Sequence, residues 1–132
     1  MRVLLIIFVS AASLVLAIPS LSHHSFSAEF DVGRPVEFTG TIIRVEWTNP
    51  HAWLFLVTDD GEGNLENWDV ELLGINTLMR RGLTRDSIKP GDRLVIRGFG
   101  ARDGTTTANA SFVSREDTGE EIWASASGDR TP

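Results

Sequence analysis

The chain contains a succession of short segments that are rich in β-branched and aromatic residues and separated by turn signals. Thr48-Asn49-Pro50 separates the first two segments, an acidic loop with two glycines at 59–64 follows the second, and Asp103-Gly104 precedes the last. Strands this short, with turns at this spacing, are typical of a small all-β domain. The predicted strands are residues 35–47, 51–58, 65–72, 94–98 and 106–114.

One segment departs from the strand pattern. Ile75, Leu78 and Met79 are spaced i, i+3 and i+4, which predicts a short helix that ends at Gly82. Three strands, a helix and two strands, with Gly40 bending the first strand, match the connectivity of the OB-fold. The sequence therefore predicts an all-β, five-stranded OB-like barrel with one short helix between strands three and four. A small antiparallel β-sandwich is the alternative.

The amino-terminal segment has the layout of a secretory signal peptide. Arg2 supplies a positive charge, residues 3–18 are apolar apart from two serines, and small residues precede a cut after Ser22. The apolar run is shorter than the roughly 20 residues that span a membrane comfortably. A second candidate cut follows Ala17. We therefore expect export to the periplasm or secretion, with no membrane span after cleavage.

A cut after Ser22 divides the chain into a signal peptide at 1–22, an OB-like barrel domain at 23–124 and a small, polar, disordered tail at 125–132. Removal of the signal peptide takes away Arg2 and changes the formal net charge from −6 to −7. Binding to a phosphate backbone depends on clustered Lys and Arg, so this acidic balance argues against a nucleic-acid partner.

The chain has no Cys and only three His. Disulfides, thiolate metal sites and Cys nucleophiles are therefore excluded, and metal chemistry depends on His23, His24 and His51. After a cut before His23, the α-amino group and the imidazole of His23 bind one metal ion together. His24 or His51 then completes a three-nitrogen set that suits Cu(II). Zinc is compatible with the same histidines. A cut after Ala17 would abolish this set.

Carboxylates near the histidines extend the metal hypothesis. Glu29, Asp31 or Glu46 is expected to add an oxygen ligand or to orient an imidazole. The purely structural alternative is a mobile histidine tail, with His51 capping its turn by bonding Asn49 or a main-chain carbonyl.

The aromatic residues support a different function. The chain has four Trp and no Tyr, and exposed aromatics on strands two and three of an OB barrel form stacking platforms for ligands. Packing in the core is the alternative use of these side chains. A metal-free periplasmic module that binds a partner protein or a small ligand through the barrel face is therefore the alternative function. Its predicted ligand-binding residues are Trp47, Asn49, Trp53 and Trp68.

Motifs for catalysis are scarce. The chain has no G-x-S-x-G, and residues 98–104 miss the dinucleotide-binding fingerprint. No catalytic residue is predicted, and a binding protein is favoured over an enzyme. A copper-dependent redox enzyme is a third, weaker hypothesis.

Three segments carry a family resemblance: His23-His24-Ser25-Phe26, Trp47-Thr48-Asn49-Pro50-His51 and Lys89-Pro90-Gly91-Asp92. Their order and spacing resemble an uncharacterised family of small exported bacterial proteins, a domain of unknown function, over nearly all of residues 23–123. The resemblance implies export and processing before the two histidines. Because the family has no established activity, it implies no reaction.

Overall fold

The computed structural model describes residues 26–124. The predicted signal peptide at 1–22, His23, His24 and the predicted tail at 125–132 lie outside the described residues. The elements, in chain order, are α1 (Phe26–Glu29), β1 (Phe30–Glu46), β2 (Trp53–Asp59), β3 (Leu65–Glu71), α2 (Ile75–Arg80), β4 (Arg93–Ala101), β5 (Thr107–Arg115) and β6 (Glu121–Ala124).

Five of these strands form a closed ring of hydrogen bonds. β1 pairs with β2 and β4, β2 pairs with β3, and β4 pairs with β5, all antiparallel. The ring closes through a parallel pairing of β3 with β5, in which Val70 lies opposite Ala108. The predicted fold class, a small all-β OB-like barrel with one short helix between strands three and four, is confirmed.

The long strand β1 bends so that it can serve two neighbours. Thr41 lies opposite Arg93 of β4 and also opposite Val57 of β2, and the register with β2 shifts between Ile42 and Arg44. A Cβ atom at Gly40 would lie 3.1 Å from the carbonyl oxygen of Val57. Glycine at this position therefore lets the two strands approach closely at the bend.

The barrel has two features beyond the five predicted strands. β6 is a sixth strand, where the sequence predicted only packing by Ile122 and Trp123. β1 begins at Phe30 and not at residue 35, since its pairing with β4 continues across an irregularity between Phe30 and Pro35. A strand beside a bulge tolerates proline, because no ladder hydrogen bond is required there.

Alternate residues of the strands point into the barrel and form its core. On β2, Leu54 and Leu56 point inward and are fully buried, while Trp53 and Phe55 lie on the outer face and are half-buried. Leu78 of α2 joins the interior cluster, and so does Trp123 of β6, which is 3% exposed. One of the four tryptophans is therefore a core residue.

Both helices are short. α1 has four residues and α2 has six. Within residues 26–124, neither is long or apolar enough to cross a membrane.

Candidate functional site

The connection between β1 and β2 determines where His51 lies. Its Asn49–Pro50 peptide bond is cis, and the loop packs so closely on Gly74 that a Cβ there would lie 2.7 Å from the Pro50 carbonyl oxygen. The hydrogen-bonded pairing of β2 with β3 continues past the strands, because Leu72 N–H donates to the Ala52 carbonyl at 2.8 Å. His51 is thereby held beside the end of β3.

His51 contacts a buried carboxyl group. Its Nδ1 lies 2.8 Å from Oε1 of Glu71, and the two side chains are 38% and 6% exposed. Asn109 of β5 donates from Nδ2 to the same oxygen at 3.4 Å. An imidazole with Nδ1 engaged in this way has Nε2 as its remaining nitrogen for a ligand or a proton.

Burial raises the pKa of Glu71 to about 7. Repulsion from Glu29 contributes to this rise, whereas the hydrogen bond from Asn109 opposes it. The Glu71 carboxyl is therefore partly protonated near neutral pH.

The pair belongs to a row of side chains on the outer face of the barrel. Trp53 lies opposite Glu71 across β2 and β3, and Glu71 lies opposite Asn109 across β3 and β5. Cross-strand partners present their side chains on one face of the sheet. The row therefore joins an aromatic surface, a buried carboxyl and an amide, with His51 at its edge.

A cavity of about 370 Å³ lies beside Trp53. Its other walls come from the end of α1, from the first residue of β1, and from the turn between β4 and β5. These walls include Glu29, Phe30, Arg102, Asp103, Thr105 and Thr107.

Main-chain hydrogen bonds and aromatic contacts hold α1 against the barrel beside this cavity. The main-chain N–H of Arg102 donates to the Glu29 carbonyl at 2.9 Å, and its Nε donates to the Ser27 carbonyl at 2.8 Å. The Phe26 ring packs edge-on against Phe99, with 5.9 Å between ring centroids. α1 is thus held by Phe99 and Arg102, which lie at the carboxyl-terminal end of β4.

A second, wider cavity of about 770 Å³ lies between β1 and the β2–β3 hairpin. Asp59 and Asp60 at its rim accept main-chain N–H groups of their own loop, so those carboxylates stabilise the hairpin turn. This cavity is remote in the strand register from His51, which lies at the opposite end of β2.

Three predicted ligand-binding tryptophans occupy different environments. Trp53 lines the 370 Å³ cavity. Trp68 stacks on Phe38, with 4.3 Å between ring centroids, and donates Nε1–H to Glu66 at 2.9 Å. Trp47 is partly buried and packs against the core.

The loop and carboxylate residues also occupy separate environments. Asn49 is exposed in the β1–β2 loop. Asp31 accepts the Gly33 N–H, and Glu46 pairs with Arg44. Glu29 lies near Glu71 and contributes charge there. Of these residues, only Glu29 lines the cavity beside Trp53.

Sequence reasoning missed Glu71 as a site residue. The register of the β2–β3 hairpin could have identified it. With the turn at 59–64, residues counted back along both strands pair Trp53 with Glu71, which puts Glu71 next to His51 in the preceding loop. Within residues 26–124, His, Asp and Glu form no group of three that could hold a metal ion.

The fold and site define a small OB-like barrel with a histidine–carboxyl pair and an adjacent cavity on its outer face. The chain belongs to DUF6152, a family of unknown function, whose family model matches residues 12–110. The matched region contains His51, Glu71 and Asn109. No curated protein matches the chain.

Proposed function

We propose that the protein is an exported binding protein that holds one metal ion, copper in preference to zinc, with His51 as a ligand through Nε2. The observation that carries this proposal is the 2.8 Å contact between His51 Nδ1 and the buried Glu71. A metal-binding histidine commonly donates its second ring N–H to a carboxylate, which fixes the ring and strengthens its donor nitrogen.

The remaining ligands of the proposed site are His23 and His24. His23 would contribute its α-amino group and imidazole after processing before it, and together with His51 this gives the nitrogen-rich set that Cu(II) favours. Two lines of reasoning support this arrangement. α1 begins at Phe26, three residues after His23 in the chain, and Glu29 of α1 is close enough to Glu71 to raise its pKa.

Metal titration of the processed protein tests the proposal. The first step is amino-terminal sequencing of the exported protein, where a start at Ile18 would remove the amine ligand. Cu(II) and Zn(II) are then titrated into the wild type, His51→Ala, His23→Ala and a form with one extra residue before His23. We expect tight Cu(II) binding that each change weakens. Binding that none of the three changes alters would contradict the proposal.

The metal-free binding module is the second candidate function. The cavity beside Trp53 favours it, because about 370 Å³ falls within the usual range for small-molecule pockets. Absence of Cu(II) and Zn(II) binding, together with ligand binding at Trp53, would make this the better account.

A further inference from the structure

We propose that the cavity beside Trp53 binds a small organic cation, such as a primary or quaternary amine. Nothing in this proposal depends on the metal, because the residues that carry it are not ligands of the proposed metal site. They are an aromatic wall formed by Trp53 and Phe30, and two carboxylate side chains, Glu29 and Asp103.

The aromatic wall supplies the surface for the cation. Trp53, half-buried at the start of β2, supplies most of this surface, because Phe30 in the adjacent wall is only 2% exposed. The face of an indole carries negative charge and attracts a cation within about 6 Å of the ring centroid. Both rings are held by strand pairing, so little ordering is needed when a ligand enters.

The carboxylates supply the counter-charge. Asp103 accepts the N–H and the Oγ1–H of Thr105, at 3.0 and 2.7 Å, and both bonds are made to Oδ1. These bonds and the nearby Arg34 hold the pKa of Asp103 below its usual range. Glu29 faces the same cavity, and Glu71 lies beside Trp53 on the neighbouring strand.

The two arginines near the cavity have structural roles. Arg102 donates Nε–H to the Ser27 carbonyl, and Arg34 donates Nη1–H to the Ala101 carbonyl at 2.6 Å. Their positive charge lies against main-chain oxygens of α1 and β4. The lining of the cavity therefore combines an aromatic face with two carboxylates against the one guanidinium of Arg102, which favours a cation over an anion.

Nuclear magnetic resonance titration tests the proposal on the processed protein in the presence of a metal chelator. The probes are 1,4-diaminobutane and tetramethylammonium, with 1,4-butanediol and glucose as neutral comparisons. We expect saturable shifts of the Trp53 indole N–H and of the Thr105 and Thr107 amides with the two cations only. Equal shifts with the diol or with glucose would overturn the assignment to cations, and so would the absence of saturable shifts.

Substitutions locate the binding. Trp53→Leu and Asp103→Asn should each lower the affinity for the amine by about 5- to 10-fold, since each substitution removes one attractive interaction with the cation. Asp103→Asn keeps an oxygen that can accept from Thr105, and Glu29→Gln provides a second neutralised carboxyl if that turn is disturbed. Trp68→Leu, on the Phe38 stack, and Asp59→Asn, on the hairpin, are the matched controls. Amine affinity unchanged in Trp53→Leu would overturn the proposal, whatever the outcome of the metal titration.

Discussion

Nδ1 of His51 lies 2.8 Å from Oε1 of Glu71, and Glu71 is one of the few charged residues that the barrel buries, at 5% exposure. Burying a carboxyl is costly unless its oxygens find donors. His51 and Asn109 both approach the same oxygen, so the pair is held from two strands and one loop. A fixed imidazole with one nitrogen engaged is suited to ligand binding through the other.

Glu71→Gln should weaken Cu(II) binding by about 10-fold or more, because substitution of carboxylates that orient a metal-bound histidine typically has this effect. The amide keeps the size of the side chain but removes its negative charge. Isothermal titration of wild type and variant measures the change. Glu46→Gln is the matched control, since Glu46 pairs with Arg44 on β1. Equal affinity in wild type and Glu71→Gln would show that the pair does not serve the metal.

The stability of the metal-free protein should fall as the pH rises from about 4.5 to about 7. The folded state raises the pKa of Glu71 from its ordinary 4.5 to about 7, so within this window the folded protein retains a proton that the unfolded chain has released. Stability decreases with pH wherever the unfolded state binds fewer protons. Urea unfolding at several pH values, with a chelator present, measures the slope.

Glu71→Gln separates this contribution from those of the other carboxyl groups. The variant cannot ionise at this position, so its free energy of unfolding should vary less over the same pH window than that of the wild type. Glu46→Gln should retain the wild-type slope. A variant slope equal to that of the wild type would mean that Glu71 titrates at its ordinary pKa.

Much of the fold could be predicted because its signals are local. Turn residues and short runs of β-branched residues set the first five strands, and the spacing of Ile75, Leu78 and Met79 identified the helix. The start of β1 was missed because Gly33 and Pro35 interrupt the strand pattern. Only pairing with β4 holds that stretch extended, and such pairing is not visible in one segment alone.

The site was less predictable because it depends on contacts distant in the chain. His51 could be selected from sequence, since a chain with three His and no Cys offers few nitrogen or sulfur ligands. Glu71 stands on the polar face of an alternating strand and resembles a solvated residue. Its burial results from the parallel pairing of β3 with β5, which brings Asn109 beside it from 38 residues away.

Gly98→Ala should destabilise the protein by about 2 kcal/mol or more, because overpacking of a close contact forces backbone shifts. A Cβ atom there would lie 2.1 Å from the carbonyl oxygen of Asn109, and neither atom belongs to a flexible side chain. Urea unfolding measures the loss. Gly33→Ala is the control, since its nearest neighbour is the Asp31 side chain at 3.3 Å. Equal stability of the two variants would contradict the close packing of β4 on β5.

Arg102→Ala should loosen α1 on the barrel while leaving the barrel folded. The substitution removes the Nε bond to the Ser27 carbonyl, and one such hydrogen bond contributes about 1 kcal/mol. Faster amide exchange confined to residues 26–30 would record this local opening. Arg80→Ala is the control, because Arg80 bonds Thr77 within α2. Since α1 leads directly to the proposed amino-terminal ligands, Cu(II) affinity should fall in Arg102→Ala and not in Arg80→Ala. Faster exchange without any loss of affinity would mean that α1 does not position those ligands.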